Sequence, residues 1–141
     1  MNNEKKEKVL ILCTHNSARS QMAEGILKKI YGDKFEIYSA GTEPSRVNPF
    51  AISAMQELGI DISNNKSKSV DGFKDTSIDY VVTVCDSAKQ SCPTFAGAKH
   101  MIHKSFRDPS QFRGTNDEIL SGFRKVRDEI QEWIKGEFSN Y

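Results

Sequence analysis

The chain has 141 residues, 20 Lys+Arg against 19 Asp+Glu, and a formal net charge of +1. Such balance leaves no global field to draw in nucleic acid or an anionic membrane, so neither is expected as a partner. Apolar residues make up 37%, and the first apolar run, Val9-Leu10-Ile11-Leu12, is far short of the roughly 20 residues of a spanning helix.

The opening Glu4-Lys5-Lys6-Glu7-Lys8 carries mixed charge and no signal-type apolar core, so a cytoplasmic location is expected. One domain, residues 1–141, is expected to bury its own core. Residues 1–7 read as a frayed tail. Val9 to Cys13 reads as a short strand buried on both faces. After a polar turn, a helix begins near Ala18 with Met22, Ala23, Ile26, Leu27 and Ile30 on one face and Gly32 as its cap. Phe35 to Ser39 alternates as a second strand. Asn48-Pro49 reads as an N-cap followed by proline in the first turn, with Ala51, Ala54, Met55 and Leu58 inward and Gly59 as the stop. Ser63 to Ser69 is a polar crossing to a short helix near Val70 to Lys74. Tyr80 to Val84 is a β-branched third strand, and Lys99 to Ile102 a fourth. Thr115-Asn116-Asp117-Glu118 has the pattern of a capping box and opens a last helix with Ile119, Phe123, Val126, Ile130 and Ile134 inward. Strands alternating with helices predict a parallel sheet covered on both sides, with chemistry at the carboxyl ends of the strands. Cys13 and Cys85 both fall there.

Cys13 and Arg19 bracket Thr14-His15-Asn16-Ser17-Ala18 between a strand and a helix. A short loop feeding a helix N-terminus points backbone N–H groups into one concavity, and the helix dipole adds positive potential. Arg19 offers a planar fork matched to two oxygens of a tetrahedral oxyanion. The field that holds an oxyanion also favours a thiolate, which marks Cys13 as a nucleophile. Thr14, His15, Asn16, Ser17, Ala18, Arg19 and Ser20 are the expected substrate-binding set. The bare spacing recurs by chance; the strand before it, the amphipathic helix after it and the polarity of the loop carry the argument. A passive turn is the competing reading.

Arg107-Asp108-Pro109 precedes the last helix. Proline biases Asp108 toward an extended conformation, from which it could act as general acid over the loop, although Asp-Pro alone is a common turn. Three cysteines in a chain without an export signal suggest a reducing compartment and thiols rather than a structural disulfide. Cys85 and Cys92 flank Asp86 to Ser91. If that segment is helical, the two Cα atoms lie about 10 Å apart along the axis, against roughly 4.4–6.8 Å for a disulfide. A Cys85–Cys92 bond would then require the segment to open. Inert core thiols are one alternative. Zinc held by Cys85, Cys92, His100 and His103 is another, with acceptable ligands but without the tight paired spacing of zinc sites.

The run Cys13-Thr14-His15-Asn16-Ser17-Ala18-Arg19-Ser20-Gln21-Met22-Ala23-Glu24-Gly25 resembles that of thioredoxin-linked arsenate reductases. The resemblance continues through Tyr38 to Thr42, Asn48-Pro49, Gly59 to Ser63, Val81 to Cys85, Cys92-Pro93, Asp108-Pro109 and Phe123 to Ile130. It implies the fold of low-molecular-weight tyrosine phosphatases, a three-layer α/β sandwich around a four-stranded parallel sheet. It also implies a mechanism. Cys13 attacks arsenate held by Arg19 and the loop, and Asp108 protonates the departing oxygen. Cys85 attacks the Cys13 sulfur as arsenite leaves, Cys92 moves the disulfide to Cys85–Cys92, and thioredoxin reduces it. No cofactor or metal is expected, and the chain is expected to act as a monomer.

Three departures accompany the resemblance. His15 stands where many relatives have glycine. Ala18 replaces a cysteine of many relatives. Lys66 and Lys68 occupy a loop where some members help bind potassium beside Asn16 and Glu24; a lysine ammonium would fill that role here, and no bound potassium is expected. Glutaredoxin with glutathione is a weaker expectation for the reductant. A phosphatase acting on phosphotyrosine or a small phosphoester is the alternative enzyme, since Cys13, Arg19 and Asp108 could serve it. A turnover-free oxyanion or redox sensor is the non-enzyme alternative. Ser110-Gln111 after Asp108-Pro109, where phosphatases usually place aromatic residues, and the added cysteine pair favour arsenate reduction.

Overall fold

The computed structural model describes residues 6–93, 95 and 97–141. Its sheet is parallel throughout, four strands in the order β2-β1-β3-β4. Strand β1 (Glu7–Cys13) lies between two neighbours, so both its edges are hydrogen-bonded and Val9 to Leu12 are buried on both faces. It starts two residues before the expected Val9. The frayed tail is corrected accordingly: the Glu7 carboxylate pairs with Lys99 at 2.7 Å, and Lys6 Nζ donates to the Gly32 carbonyl at 2.8 Å. The first five residues of the expected tail lie outside the described residues.

Helix α1 (Arg19–Tyr31) buries Met22, Ala23, Ile26 and Leu27 as its periodicity requires. Gly32 caps it from a right-handed conformation (φ −65°), not the left-handed one in which glycine is usually needed. Strand β2 (Phe35–Gly41) pairs with β1 from Phe35↔Glu7 to Gly41↔Cys13, two residues further than its alternation alone suggested. Tyr38 and Ser39 point to opposite faces because they are consecutive in a strand. Ser39 bonds Glu24 of α1, whereas Tyr38 packs against Phe73 of a 3₁₀ turn, Val70–Phe73, with the rings tilted at 56°. Helical layers therefore cover both sides, and the expected three-layer sandwich is the observed one.

Helix α2 (Pro49–Gln56) is capped by the Asn48 side chain, which accepts from Phe50 N at 2.8 Å. Gly59 then turns the chain at φ +75°, a conformation that favours glycine. Leu58, expected inward, is only half-buried. Strand β3 (Tyr80–Thr83) leads to helix α3 (Asp86–Ser91), and β4 (His100–His103) closes the sheet, one residue later than expected. Helix α4 (Asn116–Glu137) starts from the full Thr115–Glu118 capping box, a feature that stabilises a helix by about 1 kcal/mol. It buries Phe123, Val126, Ile130 and Ile134 against α1 and α2, with Ile119 half-buried. No helix among the described residues is long and apolar enough to cross a membrane.

Candidate active site

Cys13 ends β1 and the next five residues turn into α1 at the carboxyl rim of the sheet. The loop is held from outside by its carbonyls. Those of Cys13, Thr14, His15, Ser17 and Ala18 accept from the N–H groups of Thr42, Glu43, Ser45, Asn48 and Met22. The Asn16 carbonyl accepts from Gln21 Nε2 at 3.2 Å. Among the described residues, no N–H of residues 14–19 donates to a protein acceptor. The N-cap Ala18 has no capping side chain, so the first-turn donors of α1 face the same concavity. Gly41, across from the loop, is needed by this approach. A Cβ there would stand 2.6 Å from the Thr14 carbonyl and 2.8 Å from Asn16 N.

One non-glycine residue in the described chain has positive φ, Asn16 at 50°. His15, which stands where many relatives have glycine, does not take a positive φ; the left-handed residue is the next one. The reason is a buried network. Asn16 Nδ2 donates to Ser20 Oγ (2.8 Å) and Ser39 Oγ (2.9 Å), and its Oδ1 accepts from Gln21 Nε2 (3.0 Å) and Lys68 N (2.9 Å). These bonds over-determine a left-handed asparagine. Ser39 in turn donates to Glu24, which pairs with Lys28 at 2.6 Å. Lys68 Nζ donates to the Lys66 carbonyl at 2.8 Å. Burial lowers the Lys68 pKa while the Glu24 carboxylate acts against that fall. Of the two lysines considered at this edge, Lys68 brings the ammonium and Lys66 a carbonyl.

Ser20 Oγ lies 2.8 Å from Cys13 Sγ. Because Asn16 already donates to that oxygen, the Ser20 hydroxyl proton is left for the sulfur. Arg19 reaches across the mouth: Nη1 donates to the Phe106 carbonyl at 3.2 Å and Nη2 stands 3.6 Å from Asp108. Asp108 caps a 3₁₀ turn, Pro109–Gln111, accepting from Ser110 N (3.0 Å) and Ser110 Oγ (2.7 Å). Burial pushes the Asp108 carboxyl up, but the Ser110 donors, Arg19 and Gln111 together hold it below its ordinary value. Cys13, His15, Ser17, Ala18, Arg19 and Asp108, with Ser45 and Ser110, enclose a cavity of about 210 Å³. Ser45 was not among the residues singled out from sequence, and Ser110 was singled out only for standing where phosphatases usually have an aromatic ring. Thr14 and His15 face elsewhere as well: His15 Nδ1 bonds the Glu43 carbonyl at 2.9 Å, and Thr14 Oγ1 sits 3.4 Å from Cys85 Sγ.

Cys85 and Cys92 are the two caps of α3, and all three thiols are free. The Cys85 sulfur is buried at the carboxyl end of β3 and accepts from Ala88 N at 3.4 Å. Cys92 is half-buried, donates to the Pro93 carbonyl at 3.3 Å, and has its thiol pKa raised by burial. The two histidines of the zinc alternative are engaged otherwise, His100 stacked on Tyr80 and His103 bonded to Thr83 and Asp86.

Comparison with known proteins places these features in a wider set. The family model for low molecular weight phosphotyrosine protein phosphatase matches residues 8–139. An arsenate reductase of Halalkalibacterium halodurans is 47% identical over 130 residues, covering 92% of this chain and 94% of that one. A solved arsenate reductase in the intermediate state superposes with a TM-score of 0.78 at 34% identity, over 95% of this chain and 98% of the other. A low molecular weight protein tyrosine phosphatase from T. tengcongensis gives 0.78 at 25% identity, over 96% and 100%.

Proposed function

The chain belongs to the low molecular weight phosphotyrosine protein phosphatase family, and from that premise we propose that it reduces arsenate to arsenite through a relay of Cys13, Cys85 and Cys92. The observation that carries the proposal is the placing of two buried thiols on one rim. Cys13 lies within a donor-lined anion cavity, and Cys85 lies one Thr14 hydroxyl away at the end of the neighbouring strand. A third thiol closes the same short helix. A phosphatase needs the cavity, Arg19 and Asp108, but no thiol pair. The likeness to arsenate reductases over most of the chain supports the same choice.

In this mechanism the tetrahedral anion sits on the loop N–H groups and the Arg19 fork. The Cys13 sulfur attacks arsenic, an As–O bond breaks, and the oxygen leaves as water with a proton from Asp108. Asp108 is a carboxylate at rest. An oxyanion that takes Arg19 from it and sets negative charge alongside raises its hold on a proton, so the acid is made by substrate binding. Cys85 then attacks the Cys13 sulfur. The S–S bond forms, the S–As bond breaks, and its electron pair stays on arsenic, which departs as arsenite. Cys92 attacks Cys85, freeing Cys13 and leaving a Cys85–Cys92 disulfide. An external dithiol closes the cycle; thioredoxin is the proposed reductant, with glutaredoxin and glutathione as the competing arm.

Single-turnover assays with arsenic speciation test this. Cys13→Ser should do nothing, Cys85→Ser should stall with arsenic attached, and Cys92→Ser should release one arsenite and stop. Sustained turnover by Cys92→Ser with thioredoxin would remove the second relay thiol.

A further inference from the structure

One polar chain outside the anion cavity, running from buried Thr83 to the surface, touches the relay. Thr83 and His103 are paired at the carboxyl ends of β3 and β4. Thr83 Oγ1 lies 2.7 Å from His103 Nδ1, and His103 Nε2 lies 2.9 Å from Asp86 Oδ1. A carboxylate only accepts, so Nε2 carries the proton. In the neutral ring Nδ1 is then bare and accepts the Thr83 hydroxyl. Thr83 is buried, and the His103 side chain is 24% exposed, so the ring is oriented from inside the fold. Asp86, 75% exposed, is the first residue of α3 and the neighbour of Cys85.

We propose that His103 is a positioning residue for the thiol relay: it latches the start of α3 to the sheet through Asp86 and so biases the Cys85–Cys92 couple toward the closed dithiol. This rests on the relay reading above. The caps of α3 are seven positions apart, which is about 10 Å of helical rise, while a disulfide brings its Cα atoms to roughly 4.4–6.8 Å. Joining the sulfurs therefore dismantles α3, and Asp86 leaves the ring. The His103–Asp86 bond exists on the dithiol side of the equilibrium and not on the disulfide side. In that equilibrium two thiols lose two electrons and two protons to an oxidised dithiol, which becomes reduced as the Cys85–Cys92 bond forms. Without the latch the dithiol is less favoured, the disulfide forms more readily, and it is harder to reduce.

The test uses the full chain carrying Cys13→Ser, so that one couple titrates. It is equilibrated at one pH with reduced and oxidised dithiothreitol, and free thiols are counted by alkylation and mass spectrometry. His103→Ala and Asp86→Ala, which removes the acceptor that an asparagine would keep, should each move the equilibrium constant about three- to tenfold toward the disulfide, or roughly 15–30 mV for a two-electron couple. The double variant should move it no further than the larger single one. Thermal unfolding should fall in the dithiol form and stay put in the disulfide form, where a merely structural role would lower both. Asp86 is on the surface, so Asp86→Ala keeps the test alive if His103→Ala folds poorly. Unchanged constants, or strictly additive shifts, would overturn the latch. If the unsubstituted chain forms no Cys85–Cys92 disulfide after arsenate turnover, the relay reading falls and the latch with it. If that disulfide forms and the constants do not move, the latch alone falls.

Discussion

The loop after β1 and the helix after β3 leave the same rim of the sheet and are built to opposite specifications. In the loop, each carbonyl from Cys13 to Ala18 is tied to a flanking segment, and Asn16 is fully buried in a four-bond network. In α3, Ala88 is the one buried residue of six, and the segment is held at its caps. The difference follows from the proposed chemistry. Donors aimed at a tetrahedral anion must not move, since their value lies in being arranged beforehand. A segment that carries a thiol over several ångströms must come loose cheaply, and few buried contacts make that so.

Substitutions can break or sharpen this contrast. The largest effect should come from Asp108→Asn, which leaves the loop intact and removes the acid. Arsenite formation in a single turnover should fall about 10²–10⁴-fold. The same variant has a pH signature. A carboxyl held below its ordinary value contributes stability above that value, and the contribution is lost as pH falls through the shifted one. The stability gap between Asp108→Asn and the unsubstituted chain should therefore be widest near neutrality and close in acid, as read from urea unfolding across pH. A gap independent of pH would mean that Asp108 is not held as a carboxylate by Arg19 and Ser110.

Asn16→Ala comes next. It strands the Lys68 N–H, takes one bond each from Ser20, Ser39 and Gln21, and leaves an alanine at positive φ, at a cost of about 3 kcal/mol in denaturant unfolding. Affinity for phosphate, as an arsenate mimic, should fall with it. An Asn16→Ala protein of normal stability and anion affinity would mean the loop is not rigid by virtue of this network. Ala88→Gly is the mildest change, about 1 kcal/mol in helix propensity. It should raise hydrogen exchange across 86–91 and speed Cys85–Cys92 disulfide formation while phosphate affinity stays unchanged. If it weakened phosphate binding, the two regions would not be mechanically separate.

Local patterns were legible wherever a residue acts on near neighbours in the chain. The buried run Val9 to Leu12, the Asn48 cap with Pro49 and the Thr115–Glu118 box each state their structure within a few residues, and each stands as read. Boundaries were less legible because long-range pairs decide them. Glu7 belongs to β1 because it pairs with Phe35 of β2 in the parallel ladder. The same limit explains the site. Cys13, Arg19, Cys85, Cys92 and Asp108 are visible as residue types at telling places, and the resemblance points to Lys66 and Lys68, but Ser45 and Ser39 are anonymous polar residues until the sheet brings them to the loop.

By itself the sequence determined the alternation of strands and helices, hence a parallel sheet, and the presence of one Cys-to-Arg loop and one cysteine pair, because periodicity and spacing are properties of neighbouring residues. Only the tertiary structure decided that Asn16 rather than His15 takes the left-handed turn, that Arg19 spans to Asp108, and that Thr83 and His103 reach Asp86. Those outcomes depend on which side chains meet when three strand ends are packed side by side, and no local pattern encodes that meeting.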